Sequence, residues 1–169
     1  MHLELRKGTK EDAQAFVDLL QKVHADMEHK EWFYLDPPEE TKEKIVASQL
    51  QMWVAMDGDT MAAAFSVIFP GLEANNYGYD LKLSQEQLMN VVNMDTAAVH
   101  PDYRGMGLQK KLMQMAEQEL QRTGRKILLC TIHPDNHHSL QNVLDQGYTI
   151  QAKRSKYGSI RYLLRKDIP

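Results

Sequence analysis

A chain of 169 residues, 43% of them hydrophobic, is long enough for one domain with a sizeable core, and a charged fraction of 25% argues against a disordered polyelectrolyte. The formal net charge of −3 and a pI of about 6.2 give no general attraction to nucleic acid. The lone Cys130 excludes an internal disulfide, and no apolar run approaches the roughly 20 residues needed to span a bilayer.

Leu3 and Leu5 alternate with polar residues and predict a first strand. Thr9 followed by Asp12 is close to a capping box, and Phe16, Leu19, Leu20, Val23 and Met27 mark one face of the helix behind it. Aromatics and two prolines interrupt the pattern between Glu31 and Pro38. A second helix is expected from Pro38 to about Gln49, with Ile45, Val46 and Leu50 turned inward. Met52 to Met56 reads as a strand, Asp57-Gly58-Asp59 as a hairpin turn, and Met61 to Phe69 as the returning strand. Residues 70–90 form a long connection with a short helix near Ser84 to Met89, and connections of that length are often functional.

Val91 to Val99 reads as the next strand and Gly107 to Arg122 as the next helix, with Leu112, Met115, Ala116 and Leu120 inward and Gly124 as its C-cap. Lys126 to Ile132 is a mostly apolar strand in which Cys130 reads as a core thiol. Asn136 to Gln146 predicts a helix closed by Gly147, and Tyr148 to Lys153 and Ile160 to Leu164 a final strand pair. No repeat, low-complexity segment or linker divides the chain. The expected class is a mixed α/β single domain over 1–169.

The most informative stretch runs from Val99 to Leu112. A β-prone run ends in a proline turn, and Gly105 and Gly107 then open into a helix. The first N–H groups of a helix lack internal partners and carry the positive end of its dipole, so this junction suits an anion. Glycine permits close approach of a ligand to the backbone. Lys110 stands where a dinucleotide fingerprint needs its third glycine, and no Gly-Lys-Ser/Thr follows as a phosphate loop requires.

Val99-x-Pro101-x-x-Arg104-Gly105-x-Gly107-Leu108 resembles the acetyl-CoA signature of the GNAT N-acetyltransferase family, with Gln109 in place of a final small residue. Asn136-x-x-Ser139, leading to Gly147-Tyr148, resembles that family's later motif. The resemblance extends over about 1–165. It implies a GNAT-like fold, a bent mixed sheet flanked by helices, and acetyl-CoA as co-substrate without a metal. It implies that the amides around Ala97, Ala98 and Val99 bond the pantetheine arm, and that those of Arg104, Gly105, Met106, Gly107, Leu108, Gln109 and Lys110 cradle the pyrophosphate. Asn136 and Ser139 would contact the coenzyme. Lys110 or Lys111 is either a phosphate partner or part of a solvated helix face.

The implied reaction is direct acetyl transfer to a primary amine of a small molecule or protein. It needs a base for the amine and a proton for the departing thiolate. Many relatives carry an acid tyrosine where this chain has Val143, and some a base glutamate where it has Thr131. Others place the base on the strand before the glycine turn, which points to Asp95, with Asn93 nearby. Asp95 is therefore the expected base and Tyr148 the expected acid, with Tyr157 as the alternative.

Trp32 and Tyr34, together with Tyr77 and Tyr79, are the acceptor-site candidates; aromatics near Asp80 suit a cationic amine. Arg161 instead suits an acidic acceptor, and the two clues conflict. His137 and His138 are adjacent on a helix and cannot easily share a metal, and His133 reads as a turn residue. The residues from Met1 to Arg6 lack the apolar core of a signal peptide, so a cytoplasmic protein is expected. Neither nucleic acid nor membrane is an expected partner, and a homodimer stays open. The competing readings are a catalytically weak acetyl-CoA-binding module and a nucleotide-binding protein of another fold.

Overall fold

The computed structural model describes residues 2–169. Its elements in chain order are β1 (Leu3–Lys7), α1 (Ala13–Asp26), α2 (Pro38–Val46), β2 (Leu50–Asp57), β3 (Thr60–Ile68), α3 (Gln85–Met89), β4 (Val91–Val99), α4 (Leu108–Leu120), β5 (Ile127–Ile132), α5 (His137–Asp145), β6 (Thr149–Lys156) and β7 (Ser159–Asp167). The strands follow the order β1-β2-β3-β4-β5-β7-β6 in one mixed sheet. The class is α/β, as the alternation of patterns predicts. Contacts divide the chain into two compact units, one of Met1–Ile68 with Thr96–Glu119 and one of Phe69–Asp95 with Leu120–Pro169. No helix among the described residues is long and apolar enough to cross a membrane.

In the first unit, β1, β2 and β3 form an antiparallel meander. The α1 face of Phe16, Leu19, Leu20 and Val23 packs with Met52, Val54 and Ala64 of the sheet and Ile45 of α2. The β3 run Ala62-Ala63-Ala64 is fully buried, and such small residues let helix and sheet approach closely.

The second helix departs from expectation. It stops at Val46, which is 61% exposed rather than inward. Ser48 adopts φ +59, and the Ser48 and Gln49 N–H groups donate to the carbonyls of Ile45 (3.1 Å) and Lys44 (2.9 Å). That pair of bonds is a Schellman C-cap, with serine in the position glycine usually holds. It reverses the chain so that Leu50 is buried as the first residue of β2 instead. In α4, Met113 rather than Met115 joins Leu112, Ala116 and Leu120 in the core.

The Thr9–Asp12 capping pattern is realised with an addition. The Asp12 carboxylate accepts from the Thr9 N–H (2.7 Å) and takes a bidentate pair from Arg6, at 2.8 and 3.0 Å. The Arg6 bond, reinforced by the Thr9 bonds, holds the Asp12 carboxyl below its usual range despite burial. A depressed carboxylate contributes its full stability above the unfolded value of about 3.9 and loses it as pH falls through the lower folded value. Asp12→Asn is expected to cost about 1 kcal/mol near neutral pH, after allowing for solvent around Arg6. Urea titrations from pH 7 to pH 2 should show the variant's deficit shrinking toward the acid end; a deficit independent of pH would overturn this account.

In the second unit, β5, β7 and β6 pair antiparallel. Tyr77, Val91, Ile127, Leu129 and Leu163 form its core. The segment from 69 to 90 is folded rather than open. A 3-10 turn at Tyr77–Leu81 precedes α3, the short helix expected near Ser84 to Met89, and the Ser84 side chain caps it by accepting from the Gln87 N–H. Asn76 ties the segment together: its side chain donates to the carbonyls of Gly71 (2.8 Å) and Leu88 (3.0 Å) and accepts from the Gly78 N–H (2.7 Å). A β-carbon on Gly78 would stand 2.8 Å from the Leu88 side chain and 2.9 Å from Asn76 Oδ1, so any larger residue would have to displace these side chains. The parallel ladder of β4 on β5 covers Val91–Asn93 against Ile127–Leu129, whereas β4 itself continues to Val99.

Candidate active site

The turn after β4 is braced from below. The His100 N–H donates to the Ala62 carbonyl (2.8 Å), and the His100 Nδ1 accepts from the Asp102 N–H (3.1 Å). The Tyr103 hydroxyl donates to Asp57 at 2.6 Å, fixing the turn to the β2–β3 hairpin. Above this base the chain turns through Gly105 (φ +79) and Gly107 (φ +70). No heavy atom lies within 4 Å of where a β-carbon would stand at either position. The loop surface is therefore open backbone, and positive φ makes glycine the unstrained choice.

Helix α4 starts at Leu108, and the Lys111 N–H to Gly107 carbonyl bond (3.1 Å) belongs to its first turn. The N–H groups of Leu108, Gln109 and Lys110 precede that bond and take no partner within the helix. The Leu108 side chain is buried, Gln109 is half-buried, and Arg104, Gly105, Met106 and Gly107 are exposed. Lys111 reaches back to the Met106 carbonyl at 3.3 Å, bringing a cation to the loop. A helix dipole, a run of N–H donors and this lysine suit a phosphate. Ala97 and Val99 are half-buried on β4, with Ala98 buried between them.

A signal that the sequence reading missed is the recurrence of His-Pro-Asp. It ends β4 as His100-Pro101-Asp102 and β5 as His133-Pro134-Asp135. In each copy the His Nδ1 accepts the N–H of the Asp two residues on, at 3.1 Å. The second copy leads directly to Asn136, the N-cap of α5. Asn136 and Ser139 are half-buried, and His137 and His138 point to solvent.

In the second unit a polar cluster surrounds Tyr77, which is 4% exposed. Its hydroxyl lies 2.7 Å from the hydroxyl of Tyr157. Burial, then the charge of Asp95 and the presence of Tyr157, push the Tyr77 phenol well above its usual range, while a Thr131 hydrogen bond opposes them. Arg161, also 4% exposed, donates from Nε to the Lys156 carbonyl (3.3 Å) with its guanidinium 5.5 Å from the Tyr157 ring centre. Burial lowers its pKa, and the two tyrosines oppose that shift. Lys156 pairs with Asp80 and lies 5.7 Å from the Tyr77 ring centre.

Tyr157 and Gly158 form the two-residue turn between β6 and β7, with φ of +54 and +79. Two consecutive positive φ values mark the type I′ turn, which favours Asn or Asp at its first position. A tyrosine there carries strain of about 1–2 kcal/mol. Nothing local in the sequence separates Tyr148, the expected acid, from its alternative Tyr157. Tyr148 is 2% exposed, with Lys166 Nζ 5.7 Å from its ring centre, whereas Tyr157 is 44% exposed.

The acceptor candidates separate. Tyr77 joins the cluster, while Tyr79 is exposed and donates to the Leu72 carbonyl. Trp32 stacks on His29 at 4.5 Å in the first unit, and Tyr34 near it is exposed. Asn93 is buried, its amide donating to the Asn75 carbonyl (2.9 Å) and accepting from the Tyr77 N–H (3.4 Å), a structural use that leaves Asp95 as the half-buried carboxylate of β4. Val143 is core, and Thr131 is half-buried beside Tyr77.

The model of the Acetyltransferase (GNAT) family matches residues 16–148. Among solved structures, the chain is similar to an acetyltransferase of the GNAT family from Streptococcus pneumoniae (16% identity, 99% of this chain and 100% of that chain, TM-score 0.76). It is also similar to yncA from Salmonella typhimurium, a structure with its cofactor acetyl-CoA (17%, 99% and 94%, 0.74). A third is the PaiA N-acetyltransferase from Thermoplasma acidophilum in complex with coenzyme A (15%, 99% and 100%, 0.68). No curated protein matches in sequence.

Proposed function

The chain belongs to the GNAT acetyltransferase family, and from that premise we propose that it is an acetyl-CoA-dependent N-acetyltransferase acting on a primary amine. The observation that carries this reading is the open glycine turn at the head of α4, where positive φ at Gly105 and Gly107 leaves main-chain surface bare. That surface fits a diphosphate. The amides from Arg104 to Lys110 would hold it, with Lys111 adding charge. The β4 backbone at Ala97–Val99, beyond the end of the β4–β5 ladder, would bond the pantetheine arm. Asn136 and Ser139 are proposed as further contacts of the coenzyme, and the whole chain is proposed to work as one domain. Acetyl-CoA supplies the acyl group already activated as a thioester.

The chain's own part in the chemistry is small and specific. Asp95 takes a proton from the ammonium group of the acceptor, so that the amine lone pair is free to attack. A positioned base contributes typically about 10²–10⁴-fold, and alignment of the two reactants supplies much of the rest. The half-buried Asp95 supports a cationic amine as acceptor, because a carboxylate attracts an ammonium ion, whereas the rings of Tyr77 and Tyr157 already face Lys156 and Arg161.

Release of free CoA, measured across a panel of polyamines, aminoglycosides, amino acids and peptide N-termini, tests this directly. Turnover with at least one amine is the expected result. Tight binding of CoA with no turnover on any amine would favour a binding module, for which the hydrophobic Val143 at the usual acid position is the supporting observation. Thermal stabilisation by ATP or NAD but not by CoA would overturn both.

A further inference from the structure

We propose that the outer edge of β6 is a docking surface for an acidic, extended segment of a partner protein, which pairs with it as an added strand. The inference is independent of the acetyl-transfer reading and lies within the second unit. β6 is a terminal strand of the sheet, paired with β7 alone, and none of its residues is buried. Ile150 of β6 and Ile160 of β7 also stand exposed, which leaves apolar surface beside the edge.

Charge sets this edge apart. The hairpin from 149 to 167 carries Lys153, Arg154, Lys156, Arg161, Arg165 and Lys166 against one acid, Asp167, in a chain whose net charge is −3. Lys156 is held by Asp80 and Arg165 by Asp167. Lys153 and Arg154 are exposed and pair with no carboxylate among the described residues. Lys153 lies over the Tyr162 ring, 6.0 Å from its centre, and Arg154 donates to the Lys153 carbonyl at 3.0 Å. Arg154 also stands directly opposite Arg161, and like charges so placed repel. β1, the other terminal strand, differs: its Arg6 and Lys7 are bound by Asp12 and Glu119. Cations on an edge discourage pairing with a second copy, which would bring the same cations against them. An acidic strand meets no such barrier.

The main chain supplies the other half of the recognition. The Tyr157-Gly158 turn makes Lys156 and Ser159 the first pair of the ladder. In a two-residue hairpin that pair is hydrogen-bonded, and bonding then alternates. Lys153 and Ser155 therefore turn their N–H and C=O groups away from β7, toward the edge. An incoming strand takes up these groups in a new ladder. Its N–H replaces the Arg154 side chain on the Lys153 carbonyl and frees that guanidinium for a carboxylate of the partner. Main-chain groups at strand spacing fit a peptide rather than a phosphate backbone.

The test uses the intact protein and a capped, fluorescent peptide that alternates Glu and Val, with binding read by anisotropy. Saturable binding that weakens with added salt is expected. The double variant Lys153→Glu/Arg154→Glu should weaken it at least about 10-fold. Ser155→Pro removes an outward N–H at an edge where proline is tolerated, and should weaken binding without altering a charge. The same peptide fully N-methylated keeps its charge and should not bind. Thermal midpoints report the fold of each variant, and the N-methylated peptide tests the ladder in wild type should Ser155→Pro unfold. No binding of the Glu-Val peptide, equal binding of its N-methylated form, or equal binding by either folded variant overturns the proposal. So does tighter binding of a single-stranded oligonucleotide or of phosphatidylserine vesicles, or a dimer in sedimentation that Ser155→Pro dissolves, since each assigns the edge to another occupant.

Discussion

Gly107→Trp is expected to abolish binding of the coenzyme while leaving the protein folded. Gly107 holds φ +70, and the direction in which its side chain would grow is empty to 4 Å. A tryptophan at this position meets no protein atom at its first carbon, so the core is untouched. It instead fills the space over the N–H groups at the head of α4, which the proposal gives to the diphosphate. The backbone strain costs about 1–2 kcal/mol of stability, a tolerable loss for a domain stable by roughly 5–15 kcal/mol. The affinity for CoA, measured by calorimetry, should fall at least about 100-fold, equivalent to about 2.7 kcal/mol. Circular dichroism and the thermal midpoint report whether the fold survives. An unaltered affinity in a folded Gly107→Trp protein would remove the glycine turn from the site.

Asp95→Asn carries the second large effect. The substitution preserves shape and removes only the ability to take a proton. If Asp95 is the base, kcat should fall by about 10²–10⁴-fold with CoA affinity unaltered, and the acid limb of the pH–rate profile should vanish. A readout without turnover accompanies it. Burial is the main reason that the Tyr77 phenol sits high, and the Asp95 charge is the next. Deleting that charge should move the Tyr77 ionisation toward its ordinary range, though burial keeps it above. Ultraviolet titration of the phenols, wild type against variant, measures this. Unaffected turnover in Asp95→Asn would sink the base assignment; an unmoved Tyr77 would mean that the two groups do not share a field.

Much of the fold is legible in local pattern. Val91 to Val99 reads as a strand at both of its ends, because a β-prone run is bounded by Asn90 and by the His100-Pro101 turn. The α3 start follows from Ser84 and Gln87, and the open turn at Gly105 and Gly107 follows from residues that need no contact to adopt positive φ. The inward placement of Val46 fails for an equally local reason that periodicity does not register: Ser48 takes the left-handed conformation and ends the helix early. The long connection conceals its order, because Asn76 organises it through bonds to carbonyls on either side rather than through a hydrophobic repeat.

By itself the sequence determined the strand and helix succession and the anion-ready turn, since both depend on residues within a few positions of one another. Tertiary structure alone decided which tyrosine meets which. The β6–β7 hairpin sets Tyr157 in a strained turn, and the folded connection buries Tyr77 against it. Such a pairing is a property of strand order and register, which bring distant residues together and leave no mark on the periodicity of either segment.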